Sequence, residues 1–343
     1  MSYAYARLQL LLDYWRKHRA LPPSRLPSGR HDRISDVPGV RVGHLTLAAG
    51  DIQTGVTAIL PASGNLFTDP LPCAAAVLNG FGKSAGLVQI DELGTLETPI
   101  LLTNTLAVGS GFAALVQHAI AANPGIGREQ STVNPVVLEC NDGYLNDIQQ
   151  PAITVQHVLQ AIANAQENFA RGAVGAGRGM SCFGLKGGIG TASRRVGEHT
   201  LGVLVLANFG RLPDLLIDGL ALGEHLPIAA NSPSERGSII LLFATDAPLD
   251  ARQLKRLARR AAAGLGRTGS HFGHGSGDIA LAFSTCRQPV PPPDHTLDDH
   301  FRAAADATEY AIRDALLSAE SVTGFRGHHR AALHELLDQL TKA

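Results

Sequence analysis

Long hydrophobic runs are missing from the 343-residue chain: no stretch of about 18 consecutive apolar residues occurs, so no membrane-spanning helix is expected. Charge is scarce as well, at 17% of residues, and 29 Lys plus Arg balance 30 Asp plus Glu for a formal charge of −1. That balance leaves no electrostatic footprint for nucleic acid or anionic lipid. Aromatics make up only 5%. The basic cluster Lys255, Arg256, Arg259 and Arg260 therefore lacks interleaved rings for stacking bases and reads as a solvated helix face. The four cysteines, Cys73, Cys140, Cys182 and Cys286, are far apart with no C-x-x-C. They exclude a zinc clasp and a dense disulfide framework, and read as reduced thiols. Asp13 breaks the apolar Leu8-Gln-Leu-Leu-Leu run and no small-residue cleavage site follows, so the expected location is cytoplasmic.

What is present is apolar text, 45% of the chain, which rules out disorder, and 37 Gly with 19 Pro in no period, which means many turns. Leu8, Leu11, Leu12 and Trp15 repeat at helical spacing before Pro22-Pro23 and predict an amphipathic helix that docks on the body or on a neighbouring subunit. Short β-type runs follow from Arg33 to Thr103. Helical stripes at Gly111 to Ala122 and after Thr154, a predicted N-cap, then interleave with strands. The most apolar runs, Val136 to Cys140, Leu201 to Asn208, Ser238 to Thr245 and Asp278 to Thr285, read as strands covered on both faces. One further stripe joins Leu254, Leu257, Ala258, Ala261 and Leu265, and two helices close the C-terminus. The pattern predicts a layered α/β protein with no internal repeat.

Several motifs fail. Gly82-Lys83-Ser84 resembles the end of a Walker A loop, but Val77 stands where the first glycine belongs. The glycine-dense run Gly172 to Gly190 has no strand–turn–helix context for a dinucleotide and reads as close backbone packing. Neither Ser181 nor Ser276 sits in G-x-S-x-G. His271, His274 and Asp278 suit a loop better than a metal site, and His328, His329 and His334 read as solvated.

At Gly237-Ser238 the polar loop Asn231-Ser-Pro-Ser-Glu-Arg-Gly237 changes abruptly into Ile239-Ile-Leu-Leu-Phe243. A hydroxyl after glycine at the head of a buried strand suits a self-cleaving N-terminal nucleophile, but Gly-Ser also occurs at Gly109-Ser110, Gly269-Ser270 and Gly275-Ser276, and the dipeptide alone reads first as an ordinary turn into a strand.

Wider motifs run in order from about residue 31 to 286. They are Arg33-Ile-Ser-Asp-Val-Pro-Gly-Val-Arg-Val-Gly-His44, Thr54-Gly-Val-Thr-Ala-Ile59, Leu101-Leu-Thr-Asn104, Glu139-Cys-Asn-Asp-Gly143 with Leu145-Asn-Asp147, Lys186-Gly-Gly-Ile-Gly-Thr-Ala-Ser-Arg194 and Ala244-Thr-Asp-Ala-Pro248. As a set they resemble the DmpA-type aminopeptidases, which include L-aminopeptidase/D-amino-acid amidase-esterases and β-peptidyl aminopeptidases. The resemblance implies a four-layer αββα sandwich, similar to ornithine acetyltransferases and N-terminal-nucleophile hydrolases. Residues 1–30 would extend a single catalytic domain, 31–343, that cuts itself into 1–237 and 238–343. It implies Ser238 as nucleophile, on Gly237 and then on substrate, with its freed α-amine as base. Ser276 and Asp278 would support the nucleophile's hydroxyl and amine by hydrogen bonding. Asn208 would serve the oxyanion hole, and Glu139 would hold the substrate's ammonium. Asn141 stands where some members carry tyrosine, with Tyr144 three residues on, so substrate preference stays open. The Lys186 to Arg194 segment has no catalytic part beyond shaping backbone near the site.

The function expected is release of N-terminal residues from short peptides, amides or esters, without metal or organic cofactor, in a tetramer of processed protomers. Apolar Leu8, Leu12 and Trp15 also argue against a lone monomer. The alternatives are an ω-amino-acid oligomer hydrolase, an ornithine acetyltransferase-like enzyme, which would carry threonine at 238, and a small-molecule binding module that never cleaves itself.

Overall fold

The computed structural model describes residues 3–228 and 236–342. The first half contains α1 (Tyr3–His18), β1 (Arg41–Ala49), β2 (Ile52–Leu60), β3 (Leu71–Gly80), α2 (Leu87–Leu93), β4 (Thr95–Leu96), β5 (Ile100–Asn104), α3 (Val108–Ala122), β6 (Val136–Cys140) and α4 (Val155–Ala163). Next come β7 (Ser181–Cys182), β8 (Leu185–Lys186), β9 (Gly188–Val196), β10 (His199–Asn208), β11 (Leu216–Ile217), β12 (Leu220–Ala221) and β13 (Arg236–Thr245). The chain ends with α5 (Ala251–Ala258), α6 (Ala261–Thr268), β14 (Gly275–Ser284), α7 (Asp298–Leu317), β15 (Val322–Thr323), β16 (His329–Arg330) and α8 (Leu333–Leu340).

Two sheets stack between helices. The first has the order β1-β2-β5-β6 and the second β4-β3-β14-β13-β10-β9. Strand alternation builds the layers, because successive side chains take opposite faces. In β13, Ile239, Leu241 and Phe243 pack toward the helices with Leu254, Leu257 and Ile312, whereas Ile240, Leu242 and Ala244 meet Leu102, Val136 and Leu138 of the other sheet. Helices α3 and α4 cover the first sheet through Ala114, Leu115, Val158 and Ala161. The result is the αββα sandwich, and the unbroken apolar runs are explained by burial on both faces. Each Leu or Ile so buried contributes about 1.5–3 kcal/mol.

Local signals hold where the chemistry is strong. Thr154 Oγ1 accepts from the His157 amide at 3.4 Å and caps α4, and Asp250 caps α5 through the Gln253 amide at 2.7 Å. The glycine-dense run is close packing: a Cβ on Gly190 would lie 2.0 Å from the Ala311 carbonyl of α7.

Other expectations are corrected. The single stripe 254–265 is two helices, α5 and α6, packed beside α7. The basic cluster is only partly solvated, since Arg256 and Arg260 stack on Phe301 and Lys255 pairs with Asp91. The N-terminal helix docks on its own body: Leu8, Leu11, Leu12 and Trp15 are buried, and Trp15 Nε1 donates to Asp338 of α8 at 2.8 Å. Those residues therefore give no argument for an oligomer. Helical residues Thr105–Ala122 are, by length and composition, apolar enough to span a bilayer, contrary to expectation. Here they lie along the first sheet, with Gly111, Ala114, Leu115 and Ala119 buried.

Candidate active site

The second sheet brings the junction to its middle. Antiparallel β10 pairs Asn208 with Ser238, and parallel β14 pairs Gly237 with Ser276, Ser238 with Gly277 and Ile239 with Asp278. Of the polar loop before the junction, residues 231–235 lie outside the described residues. Gly237 has φ of +155°, and a Cβ there would sit 1.9 Å from the Asn208 carbonyl, so only glycine fits.

Ser238 is buried, and its Oγ accepts from the Gly277 amide at 3.0 Å. Ser276 Oγ donates to Asp278 Oδ1 at 2.6 Å, with both side chains buried. By alternation these two face the helical layer beside Gly237, while Ser238 and Asn208 face the space between the sheets. In the uncut chain, therefore, the hydroxyl is met by the Gly277 backbone, and the Ser276–Asp278 pair lies alongside the Gly237-Ser238 peptide.

Asn208 is pinned at both ends of its amide. Its Oδ1 accepts from the Ser181 amide at 2.8 Å, and its Nδ2 donates to the Asn141 carbonyl at 3.0 Å. One Nδ2 proton remains for another acceptor. Lys186, fully buried, holds the segment that carries Ser181: its Nζ donates to the carbonyls of Gly177, Met180 and Gly187 at 2.7–2.9 Å. Burial depresses its pKa well below the usual lysine value.

Glu139, at the end of β6, is 3% exposed. Its Oε1 accepts from the Lys83 amide at 2.7 Å and its Oε2 from the Thr105 hydroxyl. Two donors fix the carboxylate and leave lone pairs for a ligand cation. Asn141 lies just beyond; its Oδ1 accepts from the Gly143 amide at 2.9 Å, so its side chain serves the turn. Behind it, Asp142 accepts from Thr54 Oγ1 at 2.6 Å and Asn146 Nδ2 at 3.0 Å, while Asn104 Nδ2 donates to Thr54 Oγ1 at 2.9 Å. Burial pushes Asp142 up to about 6, and the bonds from Thr54 and Asn146 hold it back. This network ties together three of the sequence motifs as one support.

A cavity of about 1070 Å3 opens onto Ser238, Gly237, Asn208, Glu139 and Asn141, while Ser276 and Asp278 lie behind its wall. Thr105, Ser181, Tyr144, His328, His329 and Arg330 line it too, and the sequence reading missed them as site residues. His328 is not a free surface histidine: it stacks on Tyr144 at 4.5 Å and 10°. Lys83, from the failed Walker motif, serves through its backbone. Among the described residues no cluster of three His, Cys, Asp or Glu could hold a metal.

Residues 32–330 match the model of peptidase family S58. The chain is 39% identical to the β-peptidyl aminopeptidase BapA of Sphingosinicella microcystinivorans, covering 88% of this chain and 85% of that protein. Among solved structures, the PH0078 protein of Pyrococcus horikoshii OT3 superposes with a TM-score of 0.89 at 43% identity, covering 95% of this chain and 97% of that one. The L-aminopeptidase D-Ala-esterase/amidase of Ochrobactrum anthropi, described as a variant of the Ntn-hydrolase fold, superposes with a TM-score of 0.83 at 34% identity, covering 93% and 96%. With the family model spanning most of its length and the sandwich shared with these structures, this chain belongs to peptidase family S58.

Proposed function

We propose that the chain is a self-processing serine aminopeptidase and amidase that removes N-terminal residues from short peptides, amides and esters. The observation that carries this reading is one cavity in which a serine after an obligatory glycine, a doubly anchored asparagine amide and a buried carboxylate converge. In processing, Ser238 Oγ attacks the Gly237 carbonyl, the C–N bond breaks as the amine takes a proton, and water hydrolyses the resulting ester. Gly237 leaves as a carboxylate and Ser238 gains a free α-amine. Such an amine titrates near 7.7–8.0 unperturbed, so a neutral fraction accepts the Oγ proton at working pH.

In turnover, Glu139 holds the substrate's ammonium, which fixes the first carbonyl against Ser238 Oγ. The remaining Asn208 Nδ2 proton stabilises the oxyanion. The leaving amine takes the proton, and water releases the acyl group. Ser276 and Asp278, beside the Gly237-Ser238 peptide, orient the new amine. The family assignment favours this hydrolysis over acetyl transfer and over passive binding. The relatives' names extend the substrates to test to both α- and β-aminoacyl compounds.

A homo-oligomer is part of the proposal, supported by exposed Val77, Val88, Leu93 and Leu106; so is a cytoplasmic location, supported by four free thiols. The test of function is Ser238→Ala, which is expected to stay a single chain and to release no p-nitroaniline from aminoacyl p-nitroanilides. Splitting or wild-type turnover by that variant would overturn the mechanism.

A further inference from the structure

The cavity, at about 1070 Å3, is larger than one aminoacyl group needs, and besides Glu139 it is lined by Arg330. The β15–β16 hairpin presents this residue, with Val322 paired to Arg330. Two backbone ties dock the hairpin: the Phe325 amide donates to the Leu145 carbonyl at 2.7 Å, and the Lys186 amide donates to the Ala331 carbonyl at 2.9 Å. Arg330 Nε donates to Ser181 Oγ at 3.1 Å, and its guanidinium carbon lies 3.6 Å from the Tyr144 ring centroid. Tyr144 is in turn stacked on His328, whose Nδ1 meets the Tyr144 carbonyl at 2.7 Å. The guanidinium is thus held over the Tyr144 ring and tied at Nε to a hydroxyl.

No carboxylate among the described residues forms an ion pair with Arg330, in contrast to Arg211, which pairs with Asp214 on the same cavity. The Tyr144 side chain also accepts from this half-buried guanidinium, and its remaining N–H groups suit a planar anion such as a carboxylate. The link to the chemistry is short. Ser181, which holds Arg330 through its hydroxyl, holds Asn208 through its amide, and Asn208 is the strand partner of Ser238.

We propose that Arg330 is the anchor for the substrate's C-terminal carboxylate, which makes short zwitterionic peptides the preferred substrates: ammonium on Glu139, carboxylate on Arg330, scissile bond between them at Ser238. This inference rests on the peptidase reading above. Blocked peptides and amides leave the guanidinium unmatched and are selected against.

The test compares kcat/KM of the mature enzyme on di- and tripeptides with that on the same peptides amidated at the C-terminus. The free acids are expected to be favoured about tenfold or more, chiefly through KM. Arg330→Gln is expected to bring the acid-to-amide ratio near one, and Arg330→Lys, which keeps the charge but loses the fork and the stacking, to leave an intermediate ratio. Equal turnover of acids and amides by the wild type overturns the anchor and leaves the peptidase reading standing. A preference that survives in Arg330→Gln also overturns it. Failure of the wild type to hydrolyse either form removes the peptidase reading and the anchor together. Should Arg330→Gln not fold, the wild-type ratio and Arg330→Lys decide the matter.

Discussion

Glu139→Gln isolates a charge without removing a shape. Glu139 is 3% exposed, and its carboxylate is held by the Lys83 amide and the Thr105 hydroxyl. Glutamine keeps an acceptor for the amide, and the threonine hydroxyl can turn to accept from the new NH2, so the site keeps its form. What is lost is the attraction for an ammonium, about 4 kcal/mol at 4 Å with an effective dielectric near 20. A charge-assisted hydrogen bond in mutational series contributes about 1.5–3 kcal/mol, so a net loss of about 2–4 kcal/mol is expected. At about 1.4 kcal/mol per decade this is roughly 30- to 1,000-fold in kcat/KM. The assay pairs an aminoacyl p-nitroanilide with its N-acetylated counterpart on wild type and variant, both checked for processing by mass. The loss should fall on the free amine alone. Equal losses on both substrates, or no loss on either, would refute the assignment of Glu139 to the ammonium.

Asn208→Ala removes the bonds to Ser181 and Asn141 together with the spare Nδ2 proton. It is expected to lower kcat by about 10²–10³ with a smaller change in KM, measured on pre-processed enzyme. A kcat within a few-fold of wild type would exclude an oxyanion role. For Asp142 the prediction concerns pH. Its folded-state pKa, raised by burial to about 6, exceeds the ordinary value of 3.8. The stability linked to this group is therefore fully present below about pH 4 and is lost as pH rises through about 6. A carboxyl NMR titration should place the midpoint near 6; a midpoint at or below 4 would mean that the Thr54 and Asn146 bonds outweigh burial.

The sequence carried the sandwich because its central strands are apolar on both faces: the β10 and β13 runs cannot be surface strands, and their alternation assigns each side chain to a layer. Less legible was β9, Gly188–Val196: Gly190 admits the backbone of α7 and Arg194 pairs with Asp306 of that helix, while Thr191 and Ser193 on the opposite face bond the Ile34 amide and Asp36. The site divides in the same way. Gly237, Ser238, Asn208 and Glu139 end or begin apolar strands, where a polar residue needs a reason. Tyr144 lies in the turn beside Leu145, His328 and Arg330 lie in and beside a two-residue strand, and the docking of that hairpin on Leu145 and Lys186 brings the three together at the cavity. The alternation that puts Ser276 and Asp278 behind Ser238 depends on the β13–β14 register, which no local pattern specifies.

The central claim is that Ser238 becomes an N-terminus, and the denatured intact mass of freshly purified protein tests it most directly. Residues 1–237 and 238–343 divide the 36.0 kDa chain into about 25 and about 11 kDa. The account predicts those two masses, the smaller beginning at Ser238, and a single chain for Ser238→Ala. A wild-type chain that stays at 36.0 kDa through prolonged incubation while still hydrolysing aminoacyl amides would contradict it.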